Sequence, residues 1–127
     1  MEKRFSKERV FYIAITLIIA IMIFLVSSIS SFPILQKTGI DISIFYHFGI
    51  FFMFTFFLSL SLKNKNTNNK TILIILLISL AYAMSDEFHQ LFVIGRFADV
   101  KDVLIDFSGS LCSVLIFKVL QKFNKIK

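Results

Sequence analysis

The sequence predicts an all-α fold, a four-helix transmembrane bundle in which residues 1–127 form a single domain. The first observation is composition: 57% of the 127 residues are hydrophobic, 17% are charged, and mean hydropathy is +0.81. Such a chain is too apolar for a soluble domain of this size. The second observation is that the apolar residues fall into four segments, each near the ~20 residues that a helix needs to cross a bilayer.

The four predicted helices cover about 10–31, 44–62, 71–90 and 100–120. The first follows a basic N-terminus, as a signal peptide does. Its apolar run is longer than the roughly 7–15 residues of a signal-peptide core, so we expect it to be retained as a helix. A segment rich in Asn and Lys separates the second helix from the third, and Gly95 is expected to allow a tight turn before the fourth.

The basic residues are distributed unevenly around these helices. Eleven of the fourteen Lys and Arg residues lie in the N-terminus, the connection 63–70 and the C-terminal segment. The other three are Lys37, Arg96 and Lys101. The positive-inside rule therefore predicts a multi-pass protein of the cell membrane with both termini in the cytoplasm. No basic face interleaved with aromatic residues is present, so nucleic acid is not an expected partner.

Polar chemistry is concentrated in one stretch, 86–109. It holds His89, Gln90, Arg96 and five of the eight acidic residues: Asp86, Glu87, Asp99, Asp102 and Asp106. A charge at membrane depth costs about 2.5–3.5 kcal/mol on insertion scales and is seldom left without a partner. His47, one turn into the second segment, falls on the same side of the membrane. We therefore expect a polar pocket at the outward end of the bundle.

Helical spacing indicates which of these side chains meet. Asp86, His89 and Gln90 lie at i, i+3 and i+4 and share one helix face. Glu87 points about 100° away, toward Arg96 or another helix. Asp102 and Asp106 also share a face, where they repel each other unless a cation, proton or donor lies between them. Arg96 is the expected donor, because its guanidinium can bind two carboxylate oxygens.

These residues leave several kinds of chemistry open. Asp86, Glu87 and His89 are candidate acid–base groups for catalysis. The candidate ligand-binding residues are His47, Gln90, Arg96, Asp102 and Asp106. A purely structural network of ion pairs and hydrogen bonds is a further alternative. We predict no metal site and no cofactor, since the chain has no HExxH motif, no cysteine ligand set and only two histidines.

The same residues carry a family resemblance. The order Asp86-Glu87-x-x-Gln90, Gly95-Arg96 and Asp102-x-x-x-Asp106-x-x-Gly109 resembles the DE-x-x-Q, GR and D-x-x-x-[ND]-x-x-G pattern of the VanZ-like membrane proteins. His47-Phe48 is similar to the HF motif of that family, and segment number and chain length also agree. The resemblance covers nearly the whole chain.

The resemblance implies a role at the cell envelope and low-level resistance to teicoplanin, without supplying a reaction. The leading hypothesis is that the protein binds or remodels a lipid-linked envelope component or lipoglycopeptide at the outer face. One alternative is a membrane-embedded enzyme that uses acid–base residues on a lipid-linked substrate. A second is a small transporter or flippase subunit. Membrane lipids are the expected partners, and a homo-oligomer is compatible with the sequence.

Overall fold

The computed structural model describes residues 6–30, 42–63 and 67–124. The described residues form four helices, α1 (Lys7–Ser27), α2 (Ile42–Leu62), α3 (Asn69–Gln90) and α4 (Val100–Asn124), and no strand. Each helix is long and apolar enough to cross a membrane. The predicted all-α, four-helix architecture is confirmed, and the helix ends lie within a few residues of the predicted positions. Residues 31–41 of the connection between α1 and α2 lie outside the described residues.

Local sequence accounts for where the helices begin and end. Ser6 caps α1 by accepting a hydrogen bond from the backbone N–H of Arg9, and Asn68 caps α3 by accepting one from the N–H of Thr71. Asp99 accepts from the N–H of Lys101 at the start of α4. The α1 helix ends at Ser27, before the predicted Ser31, and the Ser28 N–H and hydroxyl both donate to the Phe24 carbonyl oxygen at its end.

Contacts between helix ends show that successive helices run antiparallel. Arg9 in α1 donates from Nε to the carbonyl oxygen of Ser61 in α2, at 2.7 Å. Gln121 in α4 donates to Thr67 beside the start of α3, at 2.8 Å. We call this the lower end of the bundle. The upper end holds the C-termini of α1 and α3 and the N-termini of α2 and α4.

Basic residues mark the lower end. Among the described residues, this end carries Lys7, Arg9, Lys63, Lys70, Lys118 and Lys122, whereas the upper end carries Arg96 and Lys101. The structure thus gives the bundle the charge asymmetry that the sequence indicates. Which end faces the cytoplasm stays a prediction from the positive-inside rule.

The α2 helix is the centre of the bundle, since it contacts each of the other three helices and packs most extensively against α4. One apolar cluster contains Ile19, Ile23, Phe51, Phe54 and Ala83, and a second, nearer the lower end, contains Ile72, Ile75, Val114 and Phe117. Many other large apolar side chains are exposed on the helix surfaces, as expected for helices that face lipid.

A layer of hydroxyl groups crosses the middle of the bundle. Thr55 Oγ1 lies 2.9 Å from Ser79 Oγ, and it donates to Ser110 Oγ, also at 2.9 Å. All three side chains are fully buried, and they come from α2, α3 and α4. Ser110 in turn donates to the backbone carbonyl of Asp106, one turn nearer the upper end. The hydroxyl layer is therefore connected by a hydrogen bond to the backbone of Asp106, which lies nearer the upper end.

The α2 and α4 helices approach closely at Gly109. A Cβ atom built at this glycine would overlap the carbonyl oxygen of Phe48 and lie 3.2 Å from its carbonyl carbon. Ser113, four residues further on, is also fully buried. The Gly109-x-x-x-Ser113 sequence is a small-xxx-small pattern of the type that allows membrane helices to pack backbone to backbone. This contact fixes the position of His47 along the bundle axis relative to Asp106 on α4.

Candidate functional site: a buried polar cluster at the upper end

Six polar side chains from three helices meet near the upper end of the bundle. This polar cluster consists of His47 from α2, Asp86, Glu87 and Gln90 from α3, and Asp102 and Asp106 from α4. All except Asp102 are buried, and Asp102 is partly exposed. Four of the six are carboxylates, so the cluster is rich in hydrogen-bond acceptors and poor in donors.

The imidazole of His47 lies between two carboxylates of α4. Its Nδ1 is 3.0 Å from Oδ1 of Asp106, and its Nε2 is 3.9 Å from Oδ2 of Asp102. Asp106 is completely shielded from solvent, and its second oxygen, Oδ2, has no hydrogen-bond partner among the described residues. A buried carboxylate oxygen without a partner is costly in a low-dielectric interior.

The α3 carboxylates share a single amide donor. Gln90 donates from Nε2 to Asp86 Oδ2 at 3.2 Å and to Glu87 Oε1 at 3.3 Å. The other oxygen of Glu87 accepts from the backbone N–H of Asp99, at 2.8 Å. Glu87 thus points toward α4, in keeping with the expectation that it leaves the Asp86 face for another helix. The bond to Asp99 ties the start of α4 to the end of α3.

Arg96 does not lie between the carboxylates, contrary to the expectation from the sequence. Its Nε donates to the carbonyl oxygen of Ile29 at 3.0 Å, and one terminal nitrogen donates to the carbonyl oxygen of Val26 at 3.3 Å. The last carbonyls of a helix lack intrahelical partners and attract cations, which explains this position at the end of α1. The turn that brings Arg96 there uses Gly95 at a positive φ of 80°, as predicted.

His89 also lies against α1 rather than inside the polar cluster. Its Nε2 is 3.0 Å from the Ser28 hydroxyl, and its ring packs on Phe24 with centroids 4.4 Å apart. The side chain is half-buried. His89 and Arg96 together connect the upper end of α1 to α3 and the loop that follows it. The histidine that lies among the carboxylates is therefore His47, not His89.

Three members of the polar cluster have the chemistry and spacing of metal ligands. His47, Glu87 and Asp106 each place one potential ligand atom within 4.8 Å of the other two, and all three residues are buried. The sequence-based expectation of no metal site missed this arrangement. Each residue comes from a different helix, so no local spacing marks the set, and only the packing of α2, α3 and α4 brings it together.

The fold and the site together define a four-helix membrane protein with a buried, acceptor-rich polar cluster at one end. The chain belongs to the VanZ/LLP1 family, whose model matches residues 6–121. The match covers nearly the whole chain and confirms the resemblance seen in the sequence. Neither the curated proteins nor the solved structures compared with the chain gave a match.

Proposed function

We propose that the protein binds the polar headgroup of a lipid-linked envelope component, or a lipoglycopeptide, at the upper end of the bundle. The observation that carries this proposal is the row of carboxylates that begins just before α4 and continues along one face of it. Asp106 is fully buried, the Asp102 side chain is 26% exposed, and Asp99 is exposed. The row leads from the interior of the bundle to its surface, as a binding groove would.

The hydrogen-bonding capacity of the cluster indicates what kind of headgroup fits. Asp86 and Glu87 share one amide donor, Glu87 has one further donor in the backbone N–H of Asp99, and Asp106 Oδ2 has no partner among the described residues. A ligand that supplies donors, such as sugar hydroxyls or an ammonium group, would satisfy these oxygens. A glycan or amino sugar carried on a lipid has this chemistry, and so does a lipoglycopeptide.

Arg96 would hold the anionic part of the same ligand. Its Nε and one terminal nitrogen bind carbonyl oxygens of α1, while the guanidinium as a whole stays half-buried at the surface. The remaining terminal nitrogen can donate to a phosphate or carboxylate above the cluster. With the upper end facing outward, as the positive-inside rule predicts, the ligand would be a component of the outer leaflet. Low-level teicoplanin resistance would then follow from a change in how such ligands lie at the surface.

The proposal is tested by direct binding to tag-free protein in nanodiscs. The probes are a short-chain polyprenyl diphosphate sugar and teicoplanin, measured against the wild type, Asp86→Asn, Arg96→Ala and the control Glu8→Gln. Glu8 is an exposed acidic residue in the first turn of α1, at the lower end. We expect at least one probe to bind, with affinity reduced about tenfold or more by each upper-end substitution and unchanged by the control.

Two results would overturn the headgroup-binding proposal. One is the absence of binding of either probe to the folded wild type. The other is equal binding by the wild type and by folded Asp86→Asn and Arg96→Ala proteins. Melting temperature and elution as a single species establish folding for each variant.

The His47–Asp106 pair favours a second candidate, a membrane-embedded enzyme acting on a lipid-linked substrate. A histidine held by a carboxylate is the common general acid–base arrangement, and Glu87 lies within reach of both. This candidate replaces His89 by His47 among the proposed acid–base groups. It predicts that wild-type protein converts the short-chain substrate to a product seen by mass spectrometry. Glu87→Gln should then bind the substrate and form no product; binding without turnover by the wild type excludes the enzyme.

A further inference from the structure

We propose that His47, Glu87 and Asp106 form the binding site of one divalent transition-metal ion, of the zinc or manganese kind. The three residues come from α2, α3 and α4, and one ligand atom of each lies within 4.8 Å of the other two. This inference goes beyond the headgroup-binding proposal and does not depend on it. It replaces the expectation from the sequence that the chain has no metal site.

One of the three ligand–ligand distances is close to that of a formed site, and the other two are at most 4.8 Å. Zinc binds histidine nitrogen and carboxylate oxygen at about 2.0–2.2 Å, so two ligands at a tetrahedral angle lie about 3.3–3.6 Å apart. His47 Nδ1 and Asp106 Oδ1 are 3.0 Å apart. Shifts of about 1 Å in the side chains would bring all three ligand atoms onto one ion at these bond lengths.

A second observation points to a cation at this site. Asp106 is 0% exposed, and its Oδ2 has no hydrogen-bond partner among the described residues. Asp86 on α3 and Asp102 on α4 are the other carboxylates of the polar cluster, and each can add negative charge. Among the six side chains of the cluster, His47 is the one able to carry positive charge. A divalent ion bound by both oxygens of the Asp106 carboxylate would supply the partner for Oδ2 and the charge that balances the carboxylates.

The surrounding groups are arranged as in the outer shell of a metal site. A ligating histidine usually gives its other ring N–H to a carboxylate, and Asp102 is the carboxylate nearest to His47 Nε2, with its Oδ2 at 3.9 Å, so a small side-chain shift would bring the two within hydrogen-bond distance. Ligating carboxylates are in turn hydrogen-bonded. Glu87 accepts from Gln90 and from the backbone N–H of Asp99. Each carboxylate oxygen has two lone pairs, so these bonds leave Glu87 able to bind a metal.

The ligand types select the class of ion. One imidazole with two carboxylates suits zinc, manganese or iron, whereas magnesium and calcium prefer oxygen ligands alone. Three protein ligands would leave a coordination position for water or for an oxygen of another molecule. Because the three side chains are buried, the ion would be held inside the bundle and shielded from exchange with bulk water.

The test uses tag-free wild-type protein in nanodiscs that has been washed with a chelator. It is dialysed against Zn²⁺ and, separately, Mn²⁺ or Mg²⁺, and bound metal is measured by mass spectrometry. We expect one Zn²⁺ or Mn²⁺ per chain and no stoichiometric Mg²⁺. The Zn²⁺ dissociation constant should rise at least about tenfold in Glu87→Gln and in Asp106→Asn, and stay unchanged in Glu8→Gln.

A second measurement does not depend on the folding of those variants. The chain has only two histidines, His47 and His89. Pulsed electron paramagnetic resonance of bound Mn²⁺ should show coupling to an imidazole nitrogen, and this coupling should persist in His89→Gln. The proposal is overturned by less than stoichiometric Zn²⁺ and Mn²⁺ in the wild type, by equal affinity in folded Glu87→Gln and Asp106→Asn, or by loss of the nitrogen coupling in His89→Gln.

Discussion

The Nδ1 atom of His47 and the Oδ1 atom of Asp106 lie 3.0 Å apart, although 59 positions separate the two residues in the chain. His47 is 5% exposed and Asp106 is 0% exposed, so the contact is made well inside the bundle. It joins α2 to α4 just above the place where Gly109 allows the two helices to touch. Neither side chain would find an equivalent partner in the surrounding lipid.

The first prediction concerns the strength of this contact. A double-mutant cycle of His47→Gln and Asp106→Asn should give a coupling free energy of about 0.5–3 kcal/mol, because each residue satisfies the other in a low-dielectric interior. The measurement is the free energy of unfolding in mixed micelles for the wild type, both single variants and the double variant. Strictly additive effects would show that the two side chains do not interact.

Gly109 and Gly49 form a matched pair for testing the close approach of α2 and α4. A Cβ at Gly109 would overlap the Phe48 carbonyl, whereas a Cβ at Gly49 has no atom within 4 Å. Gly109→Ala should cost about 1–3 kcal/mol, since the helices must separate. Gly49→Ala should be neutral or slightly stabilising, because alanine favours a helix more than glycine does. Thermal unfolding in detergent compares the two, and equal melting temperatures would contradict the packing.

Two serines of α4 test how much the hydroxyl layer contributes to the free energy of unfolding. Ser110 is fully buried and bonded to Thr55, whereas Ser108 is exposed and donates only to the carbonyl of Ile105 in its own helix. Ser110→Ala should lower the free energy of unfolding by about 0.6–1.7 kcal/mol, as measured for hydrogen bonds between membrane helices. Ser108→Ala should leave it nearly unchanged. A larger loss at Ser108 than at Ser110 would refute the assignment.

Two tyrosines provide a similar comparison for the hydrogen bond that connects α3 to α1. Tyr82 on α3 donates to the carbonyl oxygen of Ala20 at 2.6 Å, and Tyr46 is exposed with no hydrogen bond to the described residues. Tyr82→Phe should destabilise the protein by about 0.5–1.5 kcal/mol, because the carbonyl loses its extra donor. Tyr46→Phe should have little effect. Denaturant unfolding of the two variants under identical conditions measures the difference.

Arg96 should control the mobility of the upper end of α1. Arg96→Gln removes the bonds to the carbonyls of Val26 and Ile29, so amide hydrogen exchange in residues 26–30 should become faster. Lys101→Gln is the control, since this residue is an exposed cation at the same end. Exchange that is unchanged in Arg96→Gln, or equally fast in both variants, would contradict the role given to Arg96.

Much of the fold could be predicted because lipid imposes simple rules on sequence. Four segments of about the length of a bilayer predict four helices, and polar residues at helical spacing predict the buried faces. His47 and Asp86, which the sequence predicts in the polar pocket, both proved to be buried. Spacing along one helix is a local property, so a single sequence is sufficient for this part of the prediction.

The partners of the charged residues could not be predicted in the same way. Arg96 was expected beside the carboxylates, but it donates instead to the backbone carbonyls of Val26 and Ile29 at the end of α1. These carbonyls belong to the backbone, so the pattern of side chains in the sequence does not indicate them as partners of Arg96. The proximity of His47, Glu87 and Asp106 depends on the rotation and height of three helices, and those quantities follow from packing contacts such as Gly109 against Phe48.

The hydroxyl layer has a consequence for how the chain is assembled in the membrane. Thr55 and Ser79 enter the bilayer before Ser110, because α4 is the last of the four helices to be synthesised. The α4 helix also brings Asp106, whose partner His47 has already been inserted with α2. Thr55 and His47 therefore lack their α4 partners until this helix is inserted. Insertion of this helix is the step that closes the bundle, and a nascent chain arrested before α4 would leave the His47 imidazole without its carboxylate partner in the membrane.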